Sequence, residues 1–499
     1  MQNNPAPKLP KHIHVIGICG VATSALAIAF HKAGVKVTGS DKGFFPPVST
    51  YLAEAGVEYY AGWHPEKLCP AGHADGGAEM SISGDKPDFV MIGGTGTSPS
   101  NPETIWAKGN NVPAYSYPEV IEKYFIKKNS IVVAGTWGKT TTSALLSFIL
   151  IHSGRKPAYF TGGLSLSHPT GALSESDWSV VEGDEYQISI SDRRPKFVHY
   201  APTHLLLTSV SWDHADLYPT EKDYFDAFEN LVAHIPKDGL IVACADEPGV
   251  TKVLSDIRSV KKVVTYGKSE SKPASGPKTT DYSYHSINYT KNGLHFQITA
   301  GDDCFEIRSP MLGRFNVENM TGAFAMAREI GIPADKIIDA IKDFKGIKRR
   351  FEKRFEGEAT VLDCHAPTAE KATSVLESVR EVYKNKIIAV YEPNIGGRQR
   401  ETAHKYDGAF KDADYVLIPR LSSLKVDKEK EEGGKKGLPM DGSELFNVIM
   451  KTHKDVAYFE DDEPLVNFLI LNAKKDDCIV FLGSHGFRGM IEETVKRLS

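Results

Sequence analysis

Short apolar runs alternate with amphipathic stretches along the chain, and most of the runs end on glycine or an acid. HIHVIGICG leads through a glycine-bearing turn into TSALAIAFHKAG, and VKVTGSD follows. Strand, turn, helix and strand within about 30 residues make a parallel βαβ unit. DFVMIGG (88–94) carries the alternation on to a helix near 117–125. A second series opens with SIVVAGTWGKTTTSALLSFILIHSG, where a β-branched strand meets a Gly-Thr turn and an amphipathic helix, and continues through WSVVEGD, THLLLTSV and GLIVACAD. Residues 267–280, GKSESKPASGPKTT, then read as a polar loop. YSYHSINYT, LHFQITA and CFEIRSP alternate with the strand period of two and predict a small antiparallel excursion. A third series begins near Gly346, with strands at ATVLD, KIIAVYEP, DYVLIP and DCIVFLG and a charged loop at 427–437. The pattern predicts an α/β protein of three domains, 1–127, 128–345 and 346–499.

A chain of 499 residues accommodates three such domains at about 100–200 residues each. The net charge is −5, with both signs interspersed, so neither a nucleic-acid surface nor a polybasic membrane anchor is indicated. No apolar run reaches the roughly 18 residues of a membrane span. The six cysteines are scattered, with no Cys-x-x-Cys pair, and read as reduced thiols of a cytoplasmic protein. The expectation is a cytoplasmic protein, monomer or homodimer, with no nucleic-acid or membrane partner.

The first turn holds Gly17, Ile18, Cys19 and Gly20, and Ser40 and Asp41 end the next strand. Glycines there let a backbone approach a pyrophosphate at a helix N-terminus, and the acid would sit near a ribose. Cys19 and Ala22 fill two glycine positions of the full dinucleotide fingerprint, so a plain strand–helix turn stays open as the alternative.

Gly135-Thr136-Trp137-Gly138-Lys139-Thr140-Thr141 lies between an apolar strand and a helix, the context a phosphate loop requires. Its N–H groups can wrap a triphosphate, Lys139 can reach the outer phosphates and Thr140 can ligate Mg²⁺. Val133 occupies the first glycine position of the general motif. Downstream, Glu182 and Asp213-His214 fall at the carboxyl ends of apolar strands, where open α/β sheets carry their chemistry. A carboxylate and an imidazole beside a phosphate loop can hold magnesium; taken alone they read as a helix-cap acid and a surface histidine.

Together these residues resemble the Mur ligase family over nearly the whole chain. GTWGKTTT looks like its phosphate loop, VVEGDEY its Glu-Ala-Asp-Glu stretch, and SWDHADLY its Asp-His stretch. FNVENMTGA is similar to its Asn-x-x-Asn helix and GIKRRFE to its Arg-Arg-Phe turn. The resemblance implies an N-terminal Rossmann-like domain holding a UDP-sugar through Gly17, Ile18, Cys19, Gly20, Ser40 and Asp41. It implies a central ATP-binding domain with a parallel sheet plus a small antiparallel one, and a C-terminal Rossmann-like domain taking the amino acid or peptide. The implied reaction uses ATP and Mg²⁺ to turn the carboxylate of UDP-N-acetylmuramate into an acyl phosphate, which an amine displaces. Lys139 would contact the γ-phosphate, Thr140, Glu182 and His214 would hold metal, Asn316 and Asn319 would approach the adenosine, and Arg350 and Asp363 would contact nucleotide and orient closure.

Within the family, GICGVATSALA, VTGSDKGFFPPVSTYLAEAG and RRPKFVHYAP look most like the members that take the murein tripeptide L-alanyl-γ-D-glutamyl-meso-diaminopimelate. Members that add L-alanine are the alternative. The chain departs from the pattern at Trp137, usually His or Asn, and at Ser209, usually Asn. It also departs at VLDCHAPT, one residue and one histidine shorter than usual, which leaves Asp363 and His365 and puts the acceptor in question. A dehydrogenase reading from the first turn would leave the phosphate loop unexplained. A degenerate binder would take nucleotide or UDP-sugar without turnover.

Overall fold

The computed structural model describes residues 7–44, 48–68, 86–93, 100–189, 192–214, 216–255, 261–269, 280–421, 439–484 and 486–499. The loop expected at 427–437 and residues 270–279 of the earlier polar loop lie outside them. The chain divides into two compact units. The larger comprises residues 1–287, 296–308 and 315–344, and the smaller 288–295, 309–314 and 345–499. The described residues form three sheets.

The first sheet has five strands in the spatial order Glu58–Ala61, Lys36–Asp41, His12–Ile16, Phe89–Ile92 and Ala114–Ser116, all parallel. His12–Ile16 is buried at every residue, as a central parallel strand covered on both faces must be. The helix Val21–Lys32 follows it and is stopped near Gly34, whose φ of +86° favours glycine.

The second sheet has ten strands. Asn129–Ala134 lies at its centre between His204–Leu207 and Trp178–Gly183, parallel to both. The three strands of the small antiparallel excursion, Tyr282–Thr290, Gly293–Ala300 and Asp303–Ser309, continue this sheet at one edge. Lys262–Lys268 makes the join by pairing parallel with Tyr282–Thr290. The helix Lys139–His152 is buried along most of its length and packs on Phe315–Glu329 and Ala334–Asp343.

One apolar core runs from Phe30, Phe89 and Tyr124 under the first sheet to Tyr224 and Phe228 under the second. Each fully buried Phe contributes about 1.5–3 kcal/mol.

In the smaller unit a six-stranded sheet runs Glu352–Glu356, Thr360–Cys364, Cys478–Gly483, Ile387–Glu392, Tyr415–Ile418 and Val456–Tyr458. Only its first pair is antiparallel. No helix among the described residues is long and apolar enough to cross a membrane.

Candidate active site

The central parallel strands decide what surrounds the phosphate loop. Register pairs Ala134 with Leu207 on one side, and Val133 with Glu182 on the other. The loop 135–138 therefore leaves its strand between the ends of its two neighbours, where residues 208–214 and Glu182 also emerge.

Gly135 has φ +142°, and a Cβ there would lie 2.2 Å from Thr208 Oγ1. Gly138 caps the helix at φ +80°, where a Cβ would lie 2.5 Å from Asn319 Oδ1. Only glycine meets both demands without strain. Thr136 donates its N–H to Ser209 O at 3.0 Å, and its hydroxyl lies 2.9 Å from Tyr224 OH. Ser209 Oγ accepts the Trp137 N–H at 2.8 Å, so the two departures from the family pattern touch. The Trp137 indole itself is 49% exposed at the mouth of the loop. Thr141 is buried in the first turn of the helix.

Lys139 Nζ donates to Gly135 O at 2.5 Å and lies 2.9 Å from Glu185 Oε2. Thr140 Oγ1 donates to Glu182 Oε1 at 3.0 Å, and Gly162 N donates to Glu182 Oε2 at 2.6 Å. Two cis ligands of an octahedral Mg²⁺ with Mg–O near 2.1 Å lie about 3.0 Å apart. The Thr140–Glu182 pair thus has the spacing and the hard-oxygen chemistry that Mg²⁺ takes.

His214 has φ +54°, and its carbonyl accepts from Leu217 N at 2.9 Å and Tyr218 N at 2.8 Å. Its Nε2 lies 3.4 Å from Glu185 Oε1, and its ring meets the edge of Tyr186 at 5.0 Å. The Glu185 contact raises the imidazole above its ordinary value; burial opposes this, and Asp213 adds to it. Burial alone would raise the Asp184 carboxyl, but the Lys196 ammonium at 2.6 Å and the Tyr186 N–H hold it below the usual range.

Asn316 and Asn319 are buried in the first turns of their helix and bonded to each other at 3.1 Å, with Asn319 against Gly138. The structure thus gathers Gly135, Thr136, Trp137, Gly138, Lys139, Thr140, Glu182, His214 and Asn319 around one loop. Sequence reasoning missed Glu185, although VVEGDEY carried it; its meaning lay in a fold-dependent meeting with Lys139 and His214.

At the first turn, Gly17 N and Ile18 N both donate to Ser40 O, at 2.8 and 3.1 Å. The Asp41 carboxylate accepts the Cys19 N–H at 2.8 Å and the Lys42 N–H at 2.7 Å, so it is engaged by the turn itself. Burial and the adjacent Asp41 push the Cys19 thiol up to about 11. Gly20 opens the helix that follows. Ser40 donates its hydroxyl to the fully buried Glu103, which also accepts from Tyr60 OH at 2.8 Å and lies 3.4 Å from His14 Nε2. Glu103 had no local sequence signal.

In the smaller unit, Asp363 is 1% exposed; burial raises its carboxyl, and Arg349 opposes that rise. Arg349, not Arg350, sits 3.3 Å from Asp363 and donates to Ser484 O and Gly483 O at 2.8 and 3.0 Å. Arg350 is exposed.

A glycine-turned loop, a helix starting at Lys139 and a hydroxyl–carboxylate pair between parallel strand ends define a phosphate-loop nucleotide enzyme. Three family models cover the chain in order: "Mur ligase family, catalytic domain" at 12–128, "Mur ligase middle domain" at 133–327 and "Mur ligase, glutamate ligase domain" at 349–485. The UDP-N-acetylmuramate–L-alanyl-γ-D-glutamyl-meso-2,6-diaminoheptandioate ligase of Escherichia coli (strain K12) is 32% identical over 388 residues, covering 76% of this chain and 78% of that one. A UDP-N-acetylmuramate–L-alanine ligase of Xanthobacter autotrophicus is 28% identical, covering 97% and 96%. The crystal structure of the UDP-N-acetylmuramate–alanine ligase of Thermotoga maritima has the same fold, with a TM-score of 0.73 at 21% identity over 97% of this chain and 98% of that one. The chain belongs to the Mur ligase family and is an ATP-dependent ligase.

Proposed function

We propose that the protein joins the carboxylate of UDP-N-acetylmuramate to the amine of the murein tripeptide L-alanyl-γ-D-glutamyl-meso-diaminopimelate, in peptidoglycan metabolism. The observation that carries the chemistry is the phosphate loop with Lys139 at its lip and the Thr140–Glu182 pair, 3.0 Å apart, beside it. A carboxylate oxygen attacks the γ-phosphorus of ATP, the bond to ADP breaks, and an acyl phosphate forms. The amine nitrogen then attacks the carbonyl carbon, the C–O bond to phosphate breaks, and the amine proton is lost. Lys139 neutralises phosphate charge as it moves between oxygens. Thr140, Glu182 and His214 would hold Mg²⁺, which when bound supplies further charge neutralisation at the phosphate oxygens.

We assign the turn Gly17–Gly20, with Ser40 and Asp41, to the UDP-sugar, and Asn316 and Asn319 to the adenosine. The boundaries 1–127, 128–345 and 346–499 are the corresponding functional segments. The tripeptide is supported by the Escherichia coli relative at 32% identity and by RRPKFVHYAP and the first-turn motif. A second reading, L-alanine as acceptor, is favoured by relatives of that name matching at 28% over nearly the whole chain.

The test is phosphate release from ATP and Mg²⁺ with UDP-N-acetylmuramate, offering tripeptide and L-alanine separately. Turnover with tripeptide alone supports the first reading, and turnover with L-alanine alone replaces it by the second. Nucleotide binding without turnover on either acceptor would leave a degenerate binder.

A further inference from the structure

Lys139 spends all its donors on the protein. Its ammonium lies 2.5 Å from Gly135 O, 3.3 Å from Thr136 O and 3.0 Å from Glu185 Oε1. A lysine has three N–H donors, so a phosphate oxygen reaches this ammonium only by displacing an acceptor. Two of the three acceptors are main-chain carbonyls fixed in the loop; the third, Glu185, is a side chain. Glu185 Oε2 lies 2.9 Å from the same ammonium, so both carboxylate oxygens face it.

The same carboxylate has a second nitrogen neighbour. His214 Nε2 lies 3.4 Å from Oε1, and the Glu185 side chain is only 2% exposed. Glu185 is anchored behind by Tyr218 OH, which donates to its carbonyl at 2.6 Å. The adjacent Tyr186 carries the His214 ring on its edge and is tied to Asp216 through its hydroxyl at 2.9 Å. One buried carboxylate therefore spans the phosphate-binding lysine and the imidazole that leaves the neighbouring strand.

We infer that Glu185 is a positioning residue that holds Lys139 in reserve, yields it to the incoming phosphate, and keeps His214 aimed at the site throughout. Before nucleotide arrives Glu185 holds the ammonium, and on arrival it competes with phosphate for it. Afterwards His214 remains its partner, so the buried carboxylate is not stranded by the exchange. The role deepens the ATP-dependent ligase reading and rests on it.

Competition and positioning pull in opposite directions when the charge is removed, and that gives the test. Glu185→Gln and Glu185→Asp are compared with wild type by calorimetric titration with β,γ-imido-ATP and MgCl₂, and by kcat and KM for ATP in ligation. Glu185→Gln should bind the analogue no more weakly than wild type, and several-fold more tightly if release of Lys139 dominates. Its kcat should fall roughly 10–100-fold as His214 loses its anchor. Glu185→Asp restores the charge and should return analogue affinity to the wild-type value, with part of the lost turnover. A residue of merely structural importance would weaken both quantities in both variants. Tenfold weaker analogue binding by a folded Glu185→Gln would overturn the competition, and unchanged kcat would overturn the positioning of His214. Should wild type bind the analogue yet ligate neither acceptor, the proposed acceptors fail, while the titrations still decide whether Glu185 competes for Lys139.

Discussion

Replacing Lys139 by alanine should damage the fold as well as the chemistry, because the change strands a buried charge. Glu185 is 2% exposed on its side chain, and without the ammonium its remaining ionic neighbour is His214 at 3.4 Å. Removing one partner of a buried pair costs about 3–5 kcal/mol, and the surviving imidazole places this case near 3. The larger unit has about 330 residues, so at ~2.1 cal/mol/K per residue its unfolding entropy is near 0.7 kcal/mol/K and the melting point should fall by about 4 °C. Glu185→Ala strands a lysine that is 13% exposed and keeps the Gly135 carbonyl, so it should cost less, about 1–2 kcal/mol. The double variant carries neither charge and should be less destabilised than the sum of the two by about 1.5–3 kcal/mol. Scanning calorimetry of the four proteins closes the cycle. Turnover should fall at least about 10²–10³-fold in both proteins lacking Lys139. Additive losses, with coupling under about 0.5 kcal/mol, would refute the claim that these groups form a buried pair.

Three further outcomes follow from particular contacts. His214→Ala should lower ligation and raise the Mg²⁺ concentration needed for half-maximal rate; an unchanged metal dependence in a magnesium titration would remove His214 from the metal. The Asp184 carboxyl is held below the usual range, so its contribution is present above its unfolded value near 3.9 and is lost as pH falls through its lower folded value. Asp184→Asn should therefore be less stable than wild type at neutral pH, with the difference shrinking below about pH 4 in denaturant melts; a constant offset down to pH 3 would contradict the sign. Arg349→Ala should lower the melting point by leaving Asp363 buried beside fewer cations, and by more than Arg350→Ala, whose side chain is exposed. Equal melting points for the two variants would refute the pairing of Arg349 with Asp363.

Sequence legibility followed the distance over which each feature is specified. The phosphate loop is written in seven consecutive residues between a buried strand and a helix, and its backbone conformation needs Gly135 and Gly138 where they stand. The inner strands showed as apolar runs because both their faces are covered, as at Ile387–Glu392. The short edge strands Glu58–Ala61 and Val456–Tyr458 did not, since they are only four and three residues long and none of their residues is buried. Strands 282–309 were read correctly as strands, but which sheet they join depends on Lys262–Lys268, and pairing partners are not encoded in alternation. Arg349 and Arg350 are adjacent and chemically alike; only the positive φ of Arg349, +59°, and the turn around it select which one faces Asp363. Glu185 and Glu103 gain their meaning from partners far along the chain, His214 and Lys139 for one, His14 and Ser40 for the other.

The central claim is that ATP activates the carboxylate of UDP-N-acetylmuramate by phosphorylation before the amine arrives. One incubation tests it: UDP-N-acetylmuramate labelled with ¹⁸O in its lactyl carboxylate, with ATP, Mg²⁺ and the tripeptide, read by mass spectrometry of the phosphate and the amide product. The account predicts ADP, an amide product that has lost one carboxylate oxygen, and inorganic phosphate that has gained that ¹⁸O. Phosphate free of label, or label retained wholly in the sugar product, would contradict it.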